Sequence, residues 1–108
     1  MGMRLCKGIA PVWFQPKGCP AEFLLRPLDN IDYMELQMSI NTNGEVTASA
    51  MRRALQKSIV DWKGVDDENG EQARFDISRF GDIPREYLGD LITHVVEISK
   101  LREDEKKA

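Results

Sequence analysis

Histidine and cysteine are nearly absent from this sequence: His94, Cys6 and Cys19 are its whole supply of imidazoles and thiols. A zinc site needs four ligands, most often in closely spaced pairs, so these three would need a carboxylate and an unusual spacing. Nucleophilic catalysis needs a base beside its serine or cysteine, and none is placed to use His94. His94 sits at the edge of an apolar helical stripe, where a histidine bordering a core is the plainer reading. One disulfide is the most that Cys6 and Cys19 permit, and a cytoplasmic setting keeps both reduced. Long apolar runs are lacking too. Ile9 to Phe14 is short and broken by Pro11, far below the roughly 20 residues of a membrane helix. Cys19 follows Pro16-Lys17-Gly18, which does not suit a lipoprotein cleavage box, and Cys6 stands where myristoylation wants Ser or Thr.

Positive charge is also short. The formal net charge is −3, whereas phosphate-backbone binding requires clustered Lys and Arg. Arg52-Arg53 is the densest basic pair outside the tail, and an exposed helix face accounts for it. Gly64 and Gly70 belong to turns and no Lys-Ser pair follows a glycine loop, so no phosphate cradle is present. Asp66-Asp67-Glu68 lacks the alternating oxygens and closing glutamate of a calcium loop, which leaves solvated hairpin charge. The expectation is a cytoplasmic, non-catalytic protein without metal, cofactor, nucleic acid or membrane.

What is present suits one small domain. A chain of 108 residues is too short for two cores, and it buries roughly two-thirds of the surface its unfolded form exposes. The apolar fraction of 42% excludes wholesale disorder. The N-terminal quarter reads as extended. Met3 to Lys7 alternates, Val12-Trp13-Phe14 is β-prone, Pro16-Lys17-Gly18 signals a turn, and Ala21 to Arg26 is a second strand with Phe23 and Leu25 on one face. Pro27 stops the ladder, having no N–H to donate.

After Pro27 the period changes from two to 3.6. Asp29 caps a helix over 29–40, with Asp32 placed where the helix dipole favours negative charge. At about 100° per residue, Ile31, Met34 and Met38 share one face, and Tyr33, Leu36 and Ile40 share the opposite one. One face must be core. The other is a candidate partner-binding surface, either for a helical partner or for a homo-oligomer, and methionine suits surfaces that accept varied helices.

Thr47 caps a second helix over 47–60, with Val46 stapling onto Met51. Met51, Ala54, Leu55, Ser58, Ile59 and Trp62 form its stripe. A hairpin over 62–76 turns at Asn69-Gly70, unless its polar tip is a loose loop. Pro84 fits the first position of a helix over 84–101, with Leu88, Leu91, Ile92, Val95, Ile98 and Ser99 as its stripe. The charged run 102–108 is expected to fray. Trp62, Leu55, Ile59, Leu88, Leu91, Ile92 and Val95 are the expected core. The fold class is α+β: three main helices, a small N-terminal antiparallel sheet and a hairpin before the last helix.

Three segments now resemble a known group. EFLLRPLDNIDYMEL (Glu22 to Leu36) looks like the strand-to-helix opening of small tail assembly chaperones of long-tailed bacteriophages. ALQKSIVDWKGVDDENGEQARFD (Ala54 to Asp76) resembles that group's mid-region, a helix ending in a Trp-Gly unit and an acidic Asn-Gly turn. IPREYLGDLITHVVEISKLREDE (Ile83 to Glu105) is similar to its closing helix. Met1 to Pro20 is not matched. The resemblance implies a non-catalytic protein of phage or prophage that coats the helical tape-measure protein in the host cytoplasm until tail-tube subunits displace it. The alternative is a structural tail protein, tube-associated or a terminator subunit, retained in the virion. The group has no fixed binding motif, so no site residue comes from the resemblance.

Overall fold

The computed structural model describes residues 2–3, 10–40 and 47–107, with side chains as far as Lys100. Among the described residues the chain forms β1 (Val12–Phe14), β2 (Glu22–Leu25), α1 (Asn30–Met38), α2 (Ala48–Ser58), β3 (Ile59–Lys63), a 3₁₀ helix (Ile77–Asp82) and α3 (Arg85–Lys107). The fold is α+β, with a three-stranded antiparallel sheet in the order β1-β2-β3. Met3 to Lys7 and Val46 fall largely or wholly outside the described residues, so the strand and the staple expected there do too.

β1 and β2 are joined through a turn in which the Cys19 amide donates to the Pro16 carbonyl at 3.0 Å, with Gly18 at φ 75°. A positive φ at the third position is the type II arrangement that glycine makes cheap. Period-two alternation then buries Phe23 and Leu25 and leaves Glu22 and Trp13 on the outer face, where Lys63 lies 4.4 Å from the Trp13 ring.

α2 ends at Ser58, two residues short of the expected end at 60, and the chain passes directly into β3. Ile59 and Val60 are β-branched, and β2 offers them a partner edge, so pairing overrides the helical period. Phe23 faces Trp62 and Leu25 faces Ile59 across a bulge at Leu24/Leu25. The join is pinned on both sides of the ladder: Arg26 N–H donates to Ser58 O at 2.8 Å, and Ser58 Oγ donates to Arg26 O at 2.6 Å. Trp62 and Lys63 therefore belong to the sheet and not to a separate hairpin.

The hairpin that follows is shorter than 62–76. It consists of the Asp66–Gln72 bridge, closed by Ala73 N–H to Val65 O at 2.8 Å and a turn of Gly70 N–H to Asp67 O at 3.0 Å. Gly64 precedes it at φ 75°, and a Cβ there would sit 3.0 Å from Pro20 O, so only glycine fits between the loop and the β1–β2 connection. The 3₁₀ helix was not expected. Asp76 caps it by accepting from Ser78 N–H at 3.0 Å and Ser78 Oγ–H at 2.7 Å, which holds the Asp76 carboxyl below its ordinary value of 3.8.

Asp29 and Thr47 cap α1 and α2 as expected, accepting from Asp32 N–H at 2.8 Å and Ala50 N–H at 3.3 Å. α3 begins one residue after Pro84, and its backbone continues as helix to Lys107, beyond the expected end near Leu101. Helices α1, α2 and α3 pack on one another and close the core, in which Leu25, Leu55, Leu91 and Val95 are almost fully excluded from water. Trp62, Ile59 and Ile92 are buried with them. Leu88 is not: it is half-buried at the margin, in the first turn of α3 where the core ends.

Candidate functional site

Helix α1 is held on its inner side. Tyr33 and Leu36 are each 4% exposed, and the Tyr33 hydroxyl accepts from Gln37 Nε2 at 3.3 Å. Ion pairs dock the helix onto α2, Lys57 Nζ with Asp32 Oδ1 and Arg53 Nη1 with Glu35 Oε1, both at 2.7 Å. The Arg53–Glu35 pair is exposed and the Asp32 carboxylate is partly buried; pairs this close to the surface stabilise little, but both agree with the roll that turns Tyr33 and Leu36 inward. The roll decides which apolar face is core. Ile31, Met34 and Met38 are 77%, 57% and 82% exposed.

Ile40 does not join Tyr33 and Leu36. It is 46% exposed and lies beyond the helix, because α1 stops at Met38 with Ser39 as its cap. Ser39 Oγ donates back to Glu35 O at 2.7 Å and its amide is shared between Glu35 O and Leu36 O. Such side-chain competition for the last carbonyls ends a helix, and it turns Ile40 outward from the core face. The sequence-predicted set thus divides into an inward pair, Tyr33 and Leu36, and an outward group, Ile31, Met34, Met38 and Ile40.

A second feature escaped the sequence reading. A cleft of about 410 Å³ lies between the β3–hairpin segment and the start of α3. Phe23, Trp62 and Ile83 are buried in its floor, with Cys19 beside them as a buried free thiol whose sulfur accepts from Ala21 N–H at 3.4 Å. Its rim carries Asp66, Asp67, Glu68, Asp82 and Arg79. Its walls come from distant segments, Cys19 to Phe23, Trp62 to Ala73 and Arg79 to Tyr87, and no local periodicity joins them.

Other chemistry-bearing residues among those described make packing and turn contacts. The His94 ring stacks on Phe14 with centroids 4.1 Å apart and planes 8° from parallel, which uses the imidazole in packing β1 against α3. Asp67 Oδ1 accepts from Asn69 N–H at 2.9 Å and Glu71 N–H at 3.0 Å, so this carboxylate shapes the turn. Cys6 lies outside the described residues. Among the described residues no group of three or more His, Cys, Asp or Glu could hold a metal, and no helix is long and apolar enough to cross a membrane.

No family model, curated protein or solved structure matches the chain.

Proposed function

We propose that this protein is non-catalytic and works by holding a helical partner on the outward face of α1. In line with the resemblance to phage tail assembly chaperones, the partner is the helical tape-measure protein, bound in the host cytoplasm while a tail is built. The carrying observation is that Ile31, Met34 and Met38 line one face of a helix whose other face is anchored. An amphipathic helix laid against such a face is held by apolar anchors at helical spacing. Covering the three side chains removes a few hundred Å² from water, at about 25 cal/mol per Å². After the cost of association, a modest surplus remains, which suits a grip that tube subunits must displace. The two flexible methionines adapt to a long partner whose turns are not identical.

The test is co-expression with a long helical protein of the tape-measure type, followed by affinity purification. The expected result is a stable complex and absence of this chain from finished particles. A folded chain that fails to retain the helical protein overturns the proposal. Recovery of the chain as a stoichiometric component of purified virions would favour a structural tail subunit instead, and a stable dimer through the same face would favour self-association.

A further inference from the structure

We propose that the cleft beside α3 is a second docking site, taking a peptide segment of a partner protein that inserts one large apolar side chain flanked by lysine or arginine. The site is independent of the α1 face, since no residue of α1 lines it. Its volume of about 410 Å³ falls within the roughly 300–1,000 Å³ typical of ligand-taking clefts. Its chemistry is layered. The floor residues Phe23, Trp62 and Ile83 are no more than 9% exposed, while the carboxylates of Asp66, Glu68 and Asp82 belong to exposed residues at the mouth.

Charge selects the occupant. Among the described residues the one base at the mouth, Arg79, is already engaged, with Nη2 3.1 Å from Glu68 Oε2 and Nε 3.1 Å from Asp82 Oδ2. Asp67 is engaged in the turn, and Asp66 makes no ion pair among the described residues. The rim therefore presents surplus negative charge over an apolar floor, and such a cleft focuses its field on incoming cations and repels anions. A free amine would satisfy the rim and leave the floor uncovered. An uncharged apolar group would do the reverse. A side chain with basic neighbours does both, because the carboxylates come from two separate segments of the mouth, 66–68 and 82.

The walls are already set for this. The hairpin is closed by Asp67, and Arg79 ties its tip to the 3₁₀ helix through Glu68. Trp62 is fixed by donation from Nε1 to Ala73 O at 3.1 Å and by edge contact with Phe75, ring centroids 5.1 Å apart. Little ordering is left to offset on binding.

Trp62 is also the reporter. With Trp13→Phe in the full-length chain, it is the one tryptophan left. The probe is a short capped peptide with a central phenylalanine between lysine pairs, titrated while Trp62 fluorescence is followed. Saturable binding that weakens with salt is expected, lost when glutamates replace the lysines or alanine replaces the phenylalanine. Asp66→Lys should raise Kd roughly tenfold, chiefly through the association rate. Ala73→Leu, which adds bulk to the cleft wall, should weaken the response without lowering Tm. Should that variant fold poorly, Asp66→Lys alone decides the matter, as its side chain is exposed. The proposal is overturned if the lysine peptide does not bind at millimolar concentration or the glutamate peptide binds equally well. It is also overturned if Asp66→Lys leaves Kd within twofold, or if phenethylammonium alone binds as tightly as the peptide, which would make the site one for a small amine.

Discussion

The Ser99 hydroxyl on α3 accepts a hydrogen bond from the Leu28 amide at 2.9 Å and donates one to the Val95 carbonyl at 2.6 Å. It thereby satisfies a buried N–H in the segment between β2 and α1, 71 residues away in sequence. Pro27 cannot donate and Leu28 is 3% exposed, so this amide has no access to water. Ser99→Ala removes the acceptor and should cost about 1–3 kcal/mol in urea unfolding. Hydrogen exchange at the Leu28 amide should accelerate more than at core amides of α2.

Leu91 and Leu88 lie three residues apart on the same stripe of α3 but differ in burial, fully excluded against half-buried. Leu91→Ala should destabilise by roughly 2–5 kcal/mol, through lost transfer energy and the cavity left behind. Leu88→Ala should cost less than half as much, because the margin has solvent to fill the gap. Equal losses in paired denaturation curves would mean that the core extends past the first turn of α3.

Glu68 should titrate low. A hydrogen bond from its own backbone amide, and then Arg79, hold its carboxyl below the ordinary value of 4.5. A carboxyl depressed in the folded state stabilises fully above the unfolded value, near 4.5, and loses that contribution as pH falls through the folded value. The group is exposed, so the observable is its own titration and not the melting curve. Carbon NMR should place the midpoint below 4.5, and Arg79→Ala should move it upward. A midpoint at or above 4.5 in the wild-type chain would mean that Arg79 does not tie the hairpin tip to the 3₁₀ helix.

The parts of this fold that sequence displays are those set by neighbours in the chain. Asp29 and Thr47 cap where their side chains can reach amides three residues on, and the α3 stripe repeats cleanly from Leu91 to Ser99. The end of α2 is different. Ile59 fits the helical stripe of Met51 to Leu55 as well as it fits a strand, and only the edge of β2 settles the choice. The double-striped α1 likewise showed two apolar faces without saying which was inner. Burial of Tyr33 and Leu36 makes theirs the inner face, and Asp32 and Glu35 beside them pair with Lys57 and Arg53, residues whose positions depend on how α2 packs. Ile40 was misplaced because Ser39 shortens the helix through a bond to its own preceding turn. The cleft is assembled from three separated segments and had no signature to read.

The α1 face yields the sharpest functional prediction. Met34→Glu with Met38→Glu places charge on side chains that are 57% and 82% exposed, so no buried carboxylate is created. The inner anchors Tyr33 and Leu36 and the Asp32–Lys57 pair are untouched, although Glu35 gains like-charged neighbours that weaken its pair with Arg53. Fold stability should therefore change by less than about 1 kcal/mol, as for surface substitutions clear of core and caps. Binding should respond otherwise. Burying two carboxylates against an apolar helix costs several kcal/mol, more than the surplus this face supplies, so co-purification of the helical partner should fall below detection. Leu36→Glu is the opposite control: it charges a 4% exposed position on the same helix and should unfold the domain. A double methionine variant that melts like wild type and still retains the partner would remove α1 from the binding surface.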